Sequence, residues 1–340
     1  MPTPRKHLLS PAKHGTHYHC ISRVVDRNFV FGAREKDVFR KVMRQVEAFS
    51  GVQVVTWTIL SNHFHVLLHI SHPPAQPLSD DAILERCREL YSREAMLAVE
   101  WEFAEAQRLG HHHLEATRLK YLKRMWDLSE FMKTLKQKFT TWFNRGHARE
   151  GTLWERRFKS VLVEGSYRSL LKVAAYIDLN AVRAGITDDP KDYRWCGYSE
   201  AVAGVSLAQQ GLAQALEDLK PNATWRDVGS RYRKVIFGIG EEKGNTREPT
   251  HPGLSRAAIA EVFAAGGELS LPQLLRCRVR HFTDGLVIGS EAFINEFFNT
   301  NSGSFGSGRK SGARKIRGGD WDGLRSARDL TKVPIEPPDS

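Results

Sequence analysis

The sequence predicts an α+β fold, with short strands and long helices in one chain. Two β-rich runs, residues 52–60 and 63–70, are joined only by Ser61-Asn62, a length that fits a tight hairpin. A helical pattern at 34–49 precedes them, and residues 79–145 are almost wholly helical in character. Strands and helices therefore follow each other closely in the first half of the chain.

The other elements are justified in chain order. Residues 17–24 read as a first strand, and the helix at 34–49 has apolar side chains at helical spacing, namely Val38, Phe39, Val42, Val46 and Phe49. A further strand is predicted at about 153–163. Ser166 is the expected N-cap of the next helix and Gly185 its expected C′ residue.

Beyond residue 205 the composition changes. Helical stretches are predicted near 224–237 and 255–300, and residues 255–275 carry a weak helix-turn-helix pattern. The tail, 301–340, is basic and rich in Gly and Ser, which predicts disorder or folding on a nucleic acid.

Composition narrows the class of partner. The chain has 340 residues, with 50 Lys and Arg against 39 Asp and Glu, a net charge of +11. This excess favours a nucleic acid first and an acidic membrane surface second, or simply a basic face. No apolar run could span a membrane, and the first residues lack a signal-peptide pattern. The four cysteines are scattered, as is typical of reduced thiols; they are Cys20, Cys87, Cys196 and Cys277. We therefore expect a cytoplasmic, nucleoid-associated protein without membrane contact.

Histidines alternate along the run 63–70. Because side chains alternate across a strand, His63 and His65 share one face, with His69 further along it. The opposite face is an apolar row suited to a core, made of Phe64, Val66, Leu68 and Ile70. Neutral imidazoles bind Mn²⁺, Zn²⁺ and similar ions, so His63 and His65 are candidate metal ligands; structural strand histidines are the alternative.

Two other histidine groups are weaker candidates. His17-Tyr18-His19 begins the first strand, where it could contact DNA or lie at the surface. His111-His112-His113 lies in a polar helical stretch, which predicts a solvated face. Neither group has the apolar alternation that lies behind His63 and His65.

A second candidate site lies on the helix that carries Tyr176. Helical spacing places Lys172, Tyr176, Asn180 and Arg183 on one polar stripe. A phenol can attack phosphorus if a base or a positive charge assists, and Lys172 or Arg183 could supply that charge and hold a phosphate. Asn180 could complete a metal site, with Asp178 as the alternative ligand. The structural alternative is a tyrosine that bridges core and surface.

Four blocks in this order resemble the REP-associated tyrosine transposases, a branch of the single-tyrosine HUH transposases. They are Ser22–Arg27, Leu60–Leu67, Gly151–Phe158 and Tyr176–Gly185, followed by a similar segment at Asp192–Ser199, and together they span roughly 15–205. The resemblance implies a ferredoxin-like antiparallel sheet with packed helices, the HUH nuclease domain, over 1–205. Extra helix at about 78–125 and a helical extension at 206–300, with a possible DNA-binding role, depart from the shortest relatives.

The resemblance also implies a chemistry. His63 and His65 would be the HUH pair, Asn180 the third ligand of Mg²⁺ or Mn²⁺, and Tyr176 the nucleophile. The tyrosine would cut single-stranded DNA beside a palindromic hairpin, giving a 5′-phosphotyrosine and a free 3′-OH that can rejoin strands. The absence of a Walker-A motif agrees with transesterification, which needs no nucleotide hydrolysis.

Basic residues outside the tyrosine helix are candidate DNA contacts. They are Lys138 and Arg145 on a basic helix, and Arg156, Arg157 and Lys159 on the following strand, for which an ordinary solvated strand face is the alternative. Trp142 or Phe143 could stack on bases, although packing of Phe139, Trp142 and Phe143 on the sheet is favoured for at least two of them.

Other functions fit parts of the pattern. A non-cleaving hairpin DNA- or RNA-binding module is the main alternative; a replication initiator or relaxase and a phosphodiesterase without covalent attachment are the others. The sequence leaves open the target sequence, the general base and the choice between monomer and homodimer.

Overall fold

The structure, a computed structural model, describes residues 15–216, 224–237, 271–276, 281–305, 311–316 and 321–328. Its first part alternates strands and helices as predicted: β1 Thr16–Arg23, α1 Ala33–Ser50, β2 Gln53–Ile59 and β3 His63–Ile70. The turn between β2 and β3 is the expected tight one, with the Leu60 amide donating to the His63 carbonyl at 2.8 Å.

Four helices follow β3. They are α2 Asp80–Leu90, α3 Arg93–Leu109, α4 His111–Leu122 and α5 Leu128–Gly146. Ser79, Ser92 and Asp127 cap three of them by accepting a backbone N–H with their side chains. The predicted extra helix at about 78–125 is therefore confirmed as the three helices α2 to α4.

The strand β4, Lys159–Val163, completes a ferredoxin-like βαββαβ unit. The order β2-β3-β1-β4 is antiparallel throughout, and α1 and α5 pack on the same face. The strand is shorter than the predicted 153–163, because Leu153 and Trp154 turn into the core and only a single bridge joins Trp154 to Val24.

The two faces of this sheet are covered differently. The even-numbered residues of β3 pack under α1 and α5; Phe64, Val66, Leu68 and Ile70 are all buried there. Each such side chain contributes about 1.5–3 kcal/mol by leaving water. The opposite face is covered by α6, Tyr167–Asp178, and by a short helix α7, Asn180–Arg183. The histidine face is therefore enclosed rather than open.

Two later predictions need correction. The stretch 255–300 is not one helical region, because the strand β5, Val287–Gly289, lies between helices His281–Asp284 and Glu291–Thr300. Its β-branched residues lie between Gly285 and Gly289, which favours a strand over a helix. Residues 255–270, with most of the helix-turn-helix pattern, lie outside the described residues. The helix predicted at 224–237 is found at Trp225–Phe237.

The tail is not wholly without structure. Short strands β6, Arg314–Lys315, and β7, Arg325–Ala327, extend the sheet beyond β5, giving the order β2-β3-β1-β4-β5-β7-β6. The Gly- and Ser-rich composition of the tail did not indicate that three of its apolar residues are buried in the cluster around α6; they are Ile316, Trp321 and Leu324. β7 pairs antiparallel with the edge of β5 that β4 leaves open.

Helices 197–202 and 206–214 close the unit near β2. A Cβ atom at Gly197 would clash with the Thr56 side chain of this strand, and one at Gly211 would clash with the Val54 and Val55 carbonyl oxygens. Residues beyond 205 therefore pack directly on the sheet. The predicted domain boundary at about 205 stays a prediction.

Candidate functional site

The histidine pair lies at the start of β3, directly after the tight turn. The His63 and His65 ring centroids are 5.2 Å apart with planes at 69°. His65 is buried and His63 half-buried. Their strand is held from behind by the buried apolar row, so the two imidazoles are placed side by side as the alternation predicted.

Asn62 fixes the first imidazole. Its side-chain carbonyl lies 2.7 Å from His63 Nδ1, and its amide donates to the Arg27 carbonyl at 2.9 Å. A carbonyl oxygen only accepts, so Nδ1 of His63 carries the proton and Nε2 carries the lone pair. This is the state that metal-binding histidines adopt.

His19, from the neighbouring strand β1, contacts the second imidazole. His19 Nε2 lies 2.9 Å from His65 Nδ1, and His19 Nδ1 lies 2.8 Å from the Phe282 carbonyl oxygen. Burial lowers the pKa of His19 to about 3 and that of His65 well below its usual value. Both rings are therefore neutral at pH 7, as metal coordination requires.

Tyr176 lies over the same face, with 2% of its surface exposed. Its ring centroid is 6.3 Å from that of His19 in an edge-on arrangement, and 4.6 Å from that of Phe282 in a parallel stack. The Arg183 guanidinium carbon lies 3.9 Å from the Tyr176 ring centroid. Tyrosine, histidines and one cation thus come together although they are far apart in sequence.

The polar stripe predicted around Tyr176 is covered by other parts of the chain. Lys172 is buried, and its amine donates to the Trp321 carbonyl at 2.8 Å and to Asp322 Oδ2 at 3.1 Å. Arg183 donates to the Leu275 carbonyl at 2.7 Å and also to the Tyr176 carbonyl. The C-terminal segments supply these acceptors, so the stripe faces other parts of the same chain.

Asn180 and Asp178 have different surroundings. The Asn180 amide donates to the Ile177 and Tyr176 carbonyls at 3.0 and 3.3 Å, and this holds its side chain against α6. Asp178 is fully buried and accepts from the Thr56 hydroxyl, the Tyr198 amide and the Tyr232 hydroxyl. Burial raises the pKa of Asp178 to about 7, against the effect of these donors. Its oxygens serve the packing of α6.

The donor set fits a hard divalent ion that accepts mixed nitrogen and oxygen ligands. Among the residues that the structure describes, no cluster of three or more His, Cys, Asp and Glu side chains could hold a metal. Asn180 stays the predicted third ligand, and the atom that its hydrogen bonds hold against α6 is the amide nitrogen, not the oxygen.

The predicted DNA-contacting residues differ in availability. Arg145, Arg156 and Arg157 are exposed on α5 and on the loop before β4. Lys159 is exposed but pairs with Asp284 at 2.6 Å, and the half-buried Lys138 amine donates to the Leu90 carbonyl at 2.7 Å. Two of the three aromatic residues of α5, Phe139 and Phe143, are buried in the core, as the packing alternative predicted.

Three residues near the site were missed or undervalued from sequence. The sequence of its own strand makes His19 only a weak candidate. The pairing of Ile21 with His65 in the sheet places His19 beside the histidine pair. Asn62 was read only as a turn residue. Phe29 is 83% exposed on a loop tied to the turn through Arg27 and Asn62, and no sequence signal marked it.

Other predictions concern surfaces and cysteines. His111, His112 and His113 are exposed on α4, as predicted. Cys20, Cys87 and Cys196 are buried and form no disulfide with one another, and Cys277 lies outside the described residues. No helix in the described part of the chain is both long and apolar enough to cross a membrane.

Comparisons with known proteins found a family model that matches part of the chain. Over the whole chain, no curated protein matches. One solved structure, described as the REP-associated tyrosine transposase bound to a REP hairpin, is 14% identical, with a TM-score of 0.36 over 60% of this chain and 87% of that one. Residues 12–94, which include His63 and His65, match the family model described as IS200-like transposase, the wider group to which the four sequence blocks pointed.

Proposed function

We propose that this protein is a metal-dependent endonuclease and strand transferase for single-stranded DNA, a tyrosine transposase that cuts next to a hairpin. The single observation that carries the proposal is the meeting of Tyr176 with the histidine face: His19 lies 6.3 Å from the tyrosine ring and is hydrogen-bonded to His65. The family match over 12–94 supports the same chemistry. The hairpin substrate rests on the sequence resemblance.

The proposed reaction is a transesterification. The Tyr176 hydroxyl oxygen attacks the scissile phosphorus, a Tyr–O–P bond forms, and the bond from phosphorus to the 3′ oxygen breaks. The phenol proton leaves to a base or water, and the departing 3′ oxygen gains a proton to become a 3′-OH. Attack by that 3′-OH on the phosphotyrosine reverses the step and joins strands.

The site residues have distinct tasks in this scheme. His63, His65 and Asn180 would hold Mg²⁺ or Mn²⁺, which when bound offsets the negative charge of the phosphate. Arg183, with its charge 3.9 Å from the Tyr176 ring centroid, would stabilise negative charge that develops near the phenol oxygen. Lys172 would hold a phosphate only after its contacts to Trp321 and Asp322 open.

DNA would contact exposed basic and aromatic residues. Arg145, Arg156 and Arg157 are exposed and supply positive charge, and the exposed Phe29 offers a ring on which a base can stack. The charge excess of +11 agrees with a polyanionic partner.

One observation favours a second candidate function, a hairpin-binding module that does not cut. Tyr176 is only 2% exposed, and the Phe282 ring stacks on it. Cleavage therefore requires that Phe282 move away when DNA binds. A protein in which this contact never opens would bind DNA without forming a covalent bond.

A covalent-trapping assay tests the proposal. The protein is incubated with Mn²⁺ and labelled single-stranded oligonucleotides that carry hairpins flanking its own gene, and products are separated on a denaturing gel. We expect a protein-linked band with wild type and with Tyr167→Phe, a matched tyrosine at the start of α6, and no band with Tyr176→Phe. A native-gel shift without any covalent band would favour the binding module, and a band retained in Tyr176→Phe would exclude this nucleophile.

A further inference from the structure

His19 is a buried link between the histidine pair and the C-terminal part of the chain. It is 0% exposed, and His65 is 3% exposed. Its two ring nitrogens have different partners, His65 Nδ1 at 2.9 Å and the Phe282 carbonyl oxygen at 2.8 Å. Water cannot readily replace either partner at this depth, so the hydrogen bonds within the link set the positions of the protons.

The proton positions follow from one acceptor. The Phe282 carbonyl oxygen can only accept, so Nδ1 of His19 carries a proton. Burial away from water favours the neutral imidazole, so Nε2 of the fully buried His19 has a lone pair and accepts from His65 Nδ1. With its proton on Nδ1, the neutral ring of the buried His65 leaves Nε2 unprotonated, and this atom can bind a metal.

We propose that His19 is a positioning residue that holds His65 in the Nδ1-protonated tautomer and thereby presents Nε2 of His65 as a metal ligand. The proposal rests on the proposed metal-dependent function. It also implies that the Phe282 backbone, more than 200 residues further along the chain, orients the metal site through His19.

The neighbouring contacts support this role over a role as third ligand. The Nε2 atom of His19 faces a ring nitrogen of His65 rather than an open position. His63 obtains the same tautomer from a different acceptor, the Asn62 carbonyl. Each histidine of the pair thus has its own acceptor at Nδ1, and removal of either acceptor leaves that ring free to adopt the other tautomer.

Four full-length proteins form the test. His19→Leu removes the acceptor, whereas His19→Gln keeps an oxygen acceptor near the place of Nε2. His17→Leu is the matched control, because His17 lies two residues away on the same strand face and is a partner of His69 instead. Thermal unfolding of each variant establishes that it is folded.

The first readout needs neither metal nor DNA. Long-range ¹H–¹⁵N spectra of metal-free protein with ¹⁵N-labelled histidine report which ring nitrogen of His65 carries the proton. We expect the Nδ1–H tautomer in wild type, His19→Gln and His17→Leu, and a mixture of tautomers in His19→Leu. An Nε2–H tautomer in wild type, or no change in His19→Leu, would overturn the inference.

The second readout is Mn²⁺ affinity by calorimetry. Loss of a residue that orients a metal ligand weakens binding by about 10- to 100-fold, so we expect this for His19→Leu, with affinity largely restored in His19→Gln. Equal affinity in wild type and His19→Leu would contradict the inference. A wild type that binds Mn²⁺ normally but forms no DNA adduct would contradict the proposed function and leave the inference standing.

Discussion

Two histidine groups lie on the same face of β1 and β3 and have opposite proton arrangements. In the first, made of His63, His65 and His19, each Nδ1 atom has a defined partner and Nε2 of both His63 and His65 carries a lone pair. The second group is made of His17 and His69. The Gln214 amide nitrogen lies 2.6 Å from Nδ1 of His69, so this Nδ1 accepts and Nε2 carries the proton. Histidines on one face of the sheet therefore differ in which ring nitrogen carries the proton, and the partner of Nδ1 decides this.

The second group also contains unsatisfied atoms. His17 stacks on His69 with centroids 4.5 Å apart, and neither of its ring nitrogens has a hydrogen-bond partner in the described part of the chain. The Gln214 side-chain oxygen is likewise buried without a partner there. Buried polar atoms without a hydrogen bond lower the stability of the folded protein, whereas the Nδ1 atoms of the first group all have hydrogen-bond partners. The two groups therefore differ in hydrogen-bond satisfaction as well as in proton arrangement.

Replacement of a proposed metal ligand, His63 or His65, should have the largest effect on the formation of the DNA adduct. We expect His63→Ala and His65→Ala to lower the yield of DNA adduct by about 100-fold or more, because a bound metal ion contributes several kcal/mol to charge stabilisation. His69→Ala, on the same strand face, should retain a yield close to wild type. Quantified trapping gels measure the three variants side by side. A loss in His69→Ala as large as in His65→Ala would remove the distinction between the groups.

The next effect concerns stability in acid. Burial lowers the pKa of His17 to about 3, with a smaller effect from His69. Below pH 6.5 the unfolded chain binds a proton that the folded chain does not, so stability is present above 6.5 and is lost as the pH falls toward 3. At pH 5, His17→Leu should avoid about 2 kcal/mol of this loss. Urea unfolding at pH 8 and pH 5 measures it.

The quantity to compare between wild type and His17→Leu is the change in unfolding free energy from pH 8 to pH 5, not the unfolding free energy at either pH. His19 and His65 remain buried and neutral in the variant, so some loss in acid persists. If His17→Leu loses as much stability as wild type between pH 8 and pH 5, then His17 is not buried as a neutral, unpaired ring.

Removal of the Asn62 acceptor should give a smaller effect. We expect Asn62→Ala to weaken Mn²⁺ binding by about tenfold, because His63 then loses the partner that fixes its tautomer. Asn62→Asp keeps an oxygen at that place and should bind Mn²⁺ at least as tightly as wild type. Calorimetry with both variants decides; equal weakening in both would assign the effect to the turn and not to the acceptor.

The smallest effect is expected at Phe282, whose carbonyl serves His19 and whose ring covers Tyr176. Phe282→Leu leaves the backbone carbonyl in place but removes the aromatic stack, worth about 0.5–1.5 kcal/mol. If the ring must move before cleavage, adduct formation should become about two- to tenfold faster. Time courses of trapping measure the rate. A slower reaction would mean that the ring helps to position the tyrosine.

Much of the first 200 residues could be predicted because local patterns and tertiary environment agree. The tight Ser61-Asn62 turn and the apolar alternation after His63 fix the register of the hairpin. The same alternate residues, Phe64, Val66 and Leu68, are the ones buried in the core. The helix at 34–49 was predicted within about a residue at each end for the same reason, since its apolar spacing matches the face that it buries.

The surroundings of Tyr176 could not be predicted this way. Helical spacing correctly grouped Lys172, Tyr176 and Arg183, but it could not indicate that segments about 100–150 residues later, around Leu275, Phe282 and Trp321, would cover them. The partners of Lys172 and Arg183 there are mostly backbone carbonyls, which every residue type offers, so no sequence motif marks them.

The sequence by itself determined the strand hairpin, the face of the histidine pair, the helix of Tyr176 and the basic charge, because periodicity and composition are local or additive properties. Only the tertiary structure decided which histidines share hydrogen bonds, which nitrogen of each carries the proton and how deeply the tyrosine is buried. Those features depend on contacts between residues far apart in the chain, such as His19 with Phe282, and a contact of that kind leaves no period or spacing in the sequence.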